Sequence, residues 1–268
     1  MNKKRREIPV FDHPIIETHC HLDYLKELPL EEILARSRQV NIEKIITIAV
    51  APDNLARVRE LSQSLPQVYG SQGVHPHDSE SYSDAVDEEI RAHARDEKIV
   101  AIGEIGLDYF YDNADRNVQR DVFRRQLQIA CDSDRPVIIH SRDADEDTIT
   151  ILKEFENSLA RRGVIHSFTS GPGLASYALD QGWCLGFNGI TTFNKAENVR
   201  DIVRMTPLDR ILLETDAPFL TPVPYRGREN APFYLPFVAE KIAEVKDLPL
   251  ADVITTTYQN SLRTFFSL

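Results

Sequence analysis

Eight histidines occur in this 268-residue chain, and six of them fall where a short apolar run gives way to polar residues. His19 and His21 end the run Pro14–His21, His75 and His77 close and follow Val68–His75, His140 lies in Pro136–Arg142 and His166 in Gly163–Phe168. Two carboxylates stand in equivalent places, Glu104 in Ile99–Asp108 and Asp216 in Ile211–Pro218. Residues two apart on a strand point to the same side. His19 and His21 can therefore reach one cation while Cys20 turns away from it as a small buried hydrophobe. Alone, such a pair is equally well a structural feature. Joined to single His, Glu and Asp residues at other strand ends it is not, because clustered imidazoles and carboxylates suffer desolvation and mutual repulsion that a cation removes. His19, His21, His140 and His166 with Glu104 and Asp216 exceed the needs of one tetrahedral zinc. They suit two neighbouring divalent ions with one carboxylate between them, an arrangement that activates water and clamps an in-line displacement. Imidazole and carboxylate donors admit Zn2+, Mn2+, Fe2+, Co2+ or Mg2+.

The elements that would position these groups follow from an alternation. Eight short, mostly β-branched apolar runs recur, the six already named joined by Lys44–Val50 as the second in order and Trp183–Gly189 as the seventh. Between them lie stretches with apolar residues three and four apart: Leu30–Val40, Leu55–Leu65, Val118–Cys131, Ile149–Leu159, Val199–Met205, the shorter Leu174–Leu179 and the closing Pro236–Phe266. Helix-sized connections imply parallel pairing, and about 33 residues per repeat matches a barrel of ~250 residues. A doubly wound nucleotide-binding sheet would carry G-x-G-x-x-G after its first strand, and this chain has none. The expected fold is α/β, a single (β/α)8 TIM barrel over residues 15–268 after an N-terminal tail, 1–14. Its active site is expected at the C-terminal ends of the strands.

Composition narrows the function classes. Hydrophobic residues make up 42% and charged residues 27%, which excludes a disordered chain. Three scattered cysteines give no disulfide framework and fit a reducing compartment. The basic start, with Lys3-Lys4-Arg5-Arg6 read as a solvated tail, is followed by no apolar run of signal length. The expectation is a cytoplasmic protein with no membrane association and no obligate protein partner. A net charge of −11 is not that of a generic nucleic-acid binder.

Six segments in order, ETHCHLD (17–23), GVHPHD (73–78), GEIGLDY (103–109), IHSRDA (139–144), IHSF (165–168) and LLETDAPFLTPVPYRGREN (212–230), carry a resemblance. From Ile15 to Phe266 the chain resembles the TatD-type metal-dependent deoxyribonucleases, a branch of the amidohydrolase barrels. The resemblance implies that His19, His21, Glu104 and Asp216 hold one ion and that Glu104, His140 and His166 hold a second, with Glu104 bridging. It also implies two divalent ions per chain, Mg2+ first with Mn2+ or Zn2+ as substitutes, and hydrolysis of DNA phosphodiesters, as a 3′–5′ exonuclease acting on the ends of single strands. Glu17 stands where members often have Asp, and Ser167 and Ser170 replace commoner Cys and Gly; none of these removes a ligand.

In the expected mechanism Asp216 orients the attacking water and accepts its proton, while Glu104 is the other catalytic carboxylate. His75 and His77 are candidates for the phosphate or the leaving oxygen, or else loop histidines that cap backbone groups. Arg142, Tyr225, Arg226 and Arg228 are candidates to clasp phosphate or stack on a base, with pairing of the arginines to acids such as Glu229 as the alternative. Phe110, Tyr111 and Phe193 form either an aromatic rim or lid packing. Asp108 and Asp143 are either partners that fix ligand tautomers or helix-start residues. The competing function is hydrolysis of a small ester, lactone or D-aminoacyl ester, because a barrel does not decide its chemistry. Glu104 occupies the place where relatives with a modified lysine bridge would need Lys, which disfavours the cyclic-amide hydrolases.

Overall fold

A computed structural model describes residues 5–266; Lys3 and Lys4 of the basic tail lie outside them. Eight parallel strands follow one another in sequence order around the sheet. They are β1 Ile15–Cys20, β2 Ile42–Thr47, β3 Val68–Gln72, β4 Ile99–Asp108, β5 Val137–Arg142, β6 Gly163–Ile165, β7 Cys184–Phe187 and β8 Ile211–Leu213. The sheet nearly closes on itself. Cys20 bridges to Ala217 beyond β8, His21 N donates to Ala217 O at 2.7 Å, and Asp216 N donates to His19 O at 2.9 Å. The seam of the barrel thus runs through the residues expected to bind metal.

Helices α1 Leu30–Gln39, α2 Leu55–Ser64, α3 Asp84–His93, α4 Arg116–Ser133, α5 Asp145–Glu154, α6 Pro172–Asp180 and α7 Glu197–Met205 fill the crossovers, and α8 Leu235–Lys246 and α9 Leu250–Ser261 close the chain. The longest, α4, starts before the expected Val118 because the Asp115 carboxylate accepts the N–H groups of Asn117 and Val118 at 2.8 and 3.3 Å. Such a cap is worth about 1 kcal/mol. Its Phe123 and Leu127 are wholly buried, each worth about 1.5–3 kcal/mol of apolar burial. Helix α5 begins four residues earlier than its apolar spacing indicates, since Asp145, Glu146 and Asp147 occupy its first turn and favour the positive end of the helix dipole. α3 has only Val86, Ile90 and two alanines as apolar residues and falls below what periodicity detects. The closing stretch is two helices because Asp247 adopts a left-handed φ of 51° ahead of Pro249.

Inside the barrel, alternate residues of the strands make both floor and site. Ile46, Val100, Ile138, Val164, Cys184 and Leu212 form one buried interior cluster with Phe265. Phe265 and Phe266 come from the C-terminal turn Leu262–Phe266, where Phe266 meets Tyr69 edge-on at 4.7 Å and Thr264 Oγ1 lies 3.6 Å from Cys184 Sγ. That turn stoppers the end where the strands begin. Two residues further along several strands, on the same face, come Glu104's neighbours His140 and His166.

Candidate metal centre

Glu104 is the hub. It is 3% exposed, on β4, and its Oε1 lies 2.9 Å from His140 Nδ1, 2.8 Å from His166 Nε2 and 3.4 Å from His75 Nε2. Its Oε2 lies 3.3 Å from His19 Nε2. Close approach of β4 to β5 sets this geometry. Gly106 has φ 141°, and a Cβ there would stand 2.0 Å from His140 O, so only glycine fits. At the barrel seam Asp216 Oδ1 faces His21 Nε2 at 3.5 Å and His19 Nε2 at 3.8 Å. Asp216 has φ 59° and Ser167 φ 45°, left-handed backbone of the kind that collects at functional sites.

Two rings have no protein partner that satisfies them. Both nitrogens of His19 and both of His166 are buried without a hydrogen bond, although His166 Nε2 is only 2.8 Å from Glu104 Oε1. The ring and the carboxylate are close but misaligned, as expected when two lone pairs point at a common third centre. The rings stack face to face with centroids 3.8 Å apart, an arrangement that two imidazolium ions could not share. Burial and the neighbouring His166 lower the His19 pKa, whereas Glu104 raises that of His166 well above the ordinary range against the opposing effect of burial. Burial pushes the Glu104 carboxyl up, but His166, His75 and His140 together hold it well below the usual range. Ligand atoms of His19, His21 and Glu104 lie close enough to share an ion, as do those of His75, Glu104 and His140, and of His19, His166 and Glu214. The donor set fits divalent metal.

Other contacts orient the rings. His21 Nδ1 is 3.3 Å from Ile48 O, which keeps the proton on Nδ1 and leaves Nε2 for a cation. His140 Nε2 is 2.9 Å from Asp108 Oδ2, and His77 Nε2 lies 3.1 Å from the same oxygen. Asp108 Oδ1 accepts from Phe110 N and Tyr111 N, each at 3.0 Å. Against the upward push of burial, the hydrogen bonds from His140, His77 and the backbone hold this carboxyl far below its ordinary range. His75 Nδ1 accepts His77 N–H at 3.1 Å, so its own proton is on Nε2 and the ring presents a donor to the centre.

Sequence reasoning missed Glu214. Its Oε1 accepts Ser167 N–H at 2.5 Å and lies 3.7 Å from His166 Nδ1. A Cβ at Gly186 would come within 2.3 Å of its other oxygen. The signal was present: Glu214 and Asp216 are two apart, as His19 and His21 are. Glu17, noted only as a departure, is fully buried, and its Oε1 accepts His19 N and Thr215 N at 3.0 Å each. Burial raises its pKa to about 8.

The expected substrate contacts divide. His75, His77 and Arg142 line a mouth cavity of about 690 Å3 together with Glu104, His140, His166, Asp216, Tyr111 and Phe219. Arg142 stacks over Phe110 and Tyr111, at 4.0 and 4.9 Å from their ring centres. Tyr225 and Arg228 are not brought there. The Tyr225 hydroxyl donates to Arg6 O at 2.8 Å and its ring packs on Tyr234 and Phe237, while Arg228 borders a separate recess with Glu27 and Arg36. Glu229 pairs with neither arginine but accepts the backbone N–H groups of Lys26 and Glu27. Arg226 lies outside the mouth cavity, over the Phe193 ring at 3.8 Å. Asp143 lies in the groove beside the mouth and makes no contact with a ligand ring among those described.

Residues 16–266 match the family model described as TatD related DNase. The Bacillus subtilis protein named "Uncharacterized metal-dependent hydrolase YabD" is 38% identical over 255 residues, 94% of this chain and 98% of its own length. YcfH of Escherichia coli K12, described in the same words, is 37% identical over 94% of this chain and 95% of its own. The crystal structure of YjjV, a TatD homologue from the same organism, superposes with a TM-score of 0.88 at 32% identity, covering 95% of this chain and 98% of that one. No helix among the described residues is long and apolar enough to cross a membrane. The chain belongs to the TatD related DNase family of metal-dependent hydrolases.

Proposed function

We propose that this protein is a divalent-metal-dependent deoxyribonuclease that removes nucleotides from the 3′ end of single-stranded DNA, with two ions per chain. The observation that carries this reading is the Glu104 carboxylate standing among four imidazoles, two of which have no other partner for their ring nitrogens. His140 and His166 face one oxygen of Glu104 while His19, with His21 and Asp216 beyond it, faces the other, which supports one ion on each side of a bridging carboxylate. Bound there, divalent cations polarise the phosphate and lower the pKa of water.

The chain's own groups do the rest. Asp216 receives the proton of the attacking water, its carboxylate aimed by the Asp216 N–H bond to His19 O. His75 donates its Nε2 proton towards the leaving oxygen, since its other nitrogen is taken by His77 N–H. Arg142 binds a non-bridging oxygen, and the exposed rings of Phe110, Tyr111 and Phe219 stack on an unpaired base. A cavity of about 690 Å3 is of small-ligand size, which suits one terminal nucleotide rather than a duplex. Such a small footprint also reconciles the function with a net charge of −11.

Incubation of metal-free and Mg2+- or Mn2+-loaded protein with 3′- and 5′-labelled single-stranded DNA tests the reading. The expected result is metal-dependent release of mononucleotides from the 3′ end, abolished in Glu104→Ala. Turnover of small carboxyl esters with no metal-dependent release from DNA would assign the chain to ester hydrolysis instead.

A further inference from the structure

Two grooves leave the mouth cavity, and Thr169 lines all three spaces. One runs past the end of β5 and is lined by Asp143, Asp145, Glu146 and Asp147, with Arg142 its single cation. Of the four acids, Asp147 is neutralised by Arg120 at 2.9 Å. The other groove runs between the segment after β7 and the loop after β8. Its lining includes Ile190, Phe193, Lys195, Val223 and Arg226 and no carboxylate. Lys195 and Arg226 are exposed, and the ion pairs among the described residues include neither. Glu197, two residues on from Lys195, is turned instead to Arg200 and Arg204.

We infer that a DNA single strand leaves the metal centre across this second groove, with Lys195 and Arg226 on its phosphates. The inference rests on the nuclease reading above and adds the path of the strand. Phosphodiesters each carry one negative charge, so the carboxylate-lined groove repels them while the second groove neutralises them. Arg226 is also preshaped for the task. Its guanidinium carbon lies over the Phe193 ring, 3.8 Å from the centre, and the group is exposed, so it can meet a phosphate or stack on a base. Ile190 and Val223, the latter 44% exposed, give the sugar and base an apolar floor, and Ile190 belongs to the mouth cavity as well. The route is therefore continuous with the centre.

The test is fluorescence anisotropy of the Mg2+-loaded chain with labelled, phosphorothioate-linked oligothymidylate across a salt series. Charge reversal in Lys195→Glu with Arg226→Glu is expected to weaken binding about tenfold or more and to flatten the slope of log Kd against log salt by about 1.4, two contacts at ~0.7 each on a single strand. The milder Lys195→Ala with Arg226→Ala is expected to give the same flattening with a smaller loss. Asp143→Asn with Glu146→Gln should leave affinity within about twofold. Unchanged affinity and slope in the reversed pair, in a chain that still degrades DNA, would overturn the route, as would a tenfold effect from the acidic pair. A wild-type chain that neither binds nor cuts any strand overturns the nuclease reading itself, and the route with it.

Discussion

The rings around Glu104 fall into two sets that are held in different ways. His140 is fixed by Asp108 at 2.9 Å, and His75 by the backbone of His77 at 3.1 Å. His19 and His166 stack at 3.8 Å, and although both rings lie close to Glu104 none of their four nitrogens makes an aligned hydrogen bond. A buried polar group without a partner costs roughly 1–3 kcal/mol, so the second set carries a penalty that the first does not. The difference teaches that the protein orients one set of rings with its own hydrogen bonds, whereas the other leaves buried nitrogens that a divalent cation could satisfy.

Removing a ring from the cation-dependent set should have the largest effect. His166→Ala is expected to lose about one metal per chain by elemental analysis and about 10³-fold in turnover, because several kcal/mol of charge stabilisation leave with the ion. Equal losses in activity with unchanged metal content would break the comparison. Stripping metal from the wild type comes next. At a hundredfold excess over Kd, a ligand of the native state adds about 2.7 kcal/mol, so chelation should lower the melting midpoint by about 5–10 °C. The His166→Ala chain should show a smaller drop in the same scan.

The hydrogen-bonded set is probed by Asp108→Asn, which keeps the shape and removes the charge behind His140. A cost of about 10–100-fold in metal affinity or activity is expected. Its pH signature has a definite sign. The folded-state pKa of Asp108 lies below its unfolded value, so its contribution is fully present above about pH 4 and is lost as pH falls towards the folded value. Melting of the wild type between about pH 2 and 5 should therefore fall more steeply than that of Asp108→Asn. The smallest effect belongs to the rim: Arg142→Ala should raise KM about three- to tenfold with little change in kcat, the loss of one partly exposed phosphate contact. A collapse of kcat instead would move Arg142 from the rim into the chemistry.

Much of this was legible in the sequence, for identifiable reasons. All eight strands announce themselves as short apolar runs, most of them β-branched, because a barrel strand is buried on both faces. The six residues expected as ligands lie around Glu104 and the barrel seam, because inward residues at strand ends converge. Asp108 was legible only as one of two options, since a carboxylate that holds a ring and one that starts a helix look alike in one dimension. Glu214 escaped because its partners, Ser167 N and His166, are reached only once β6 and β8 have closed across β7. Tyr225 and Arg228 were misdirected for a similar reason. The loop after β8 turns outward at Thr221, whose hydroxyl donates to Arg228 O at 2.6 Å, and carries both towards Arg5 and Arg6 or α1.

The stopper formed by Phe265 under Val164, Cys184 and Leu212 has a consequence for traffic. With its underside sealed, the barrel is a chamber with one door: whatever ester is cleaved enters, and both fragments depart, through a single aperture. A polymer cannot be threaded through such a chamber as through a ring, so each catalytic cycle must end with something backing out before the next terminus comes in.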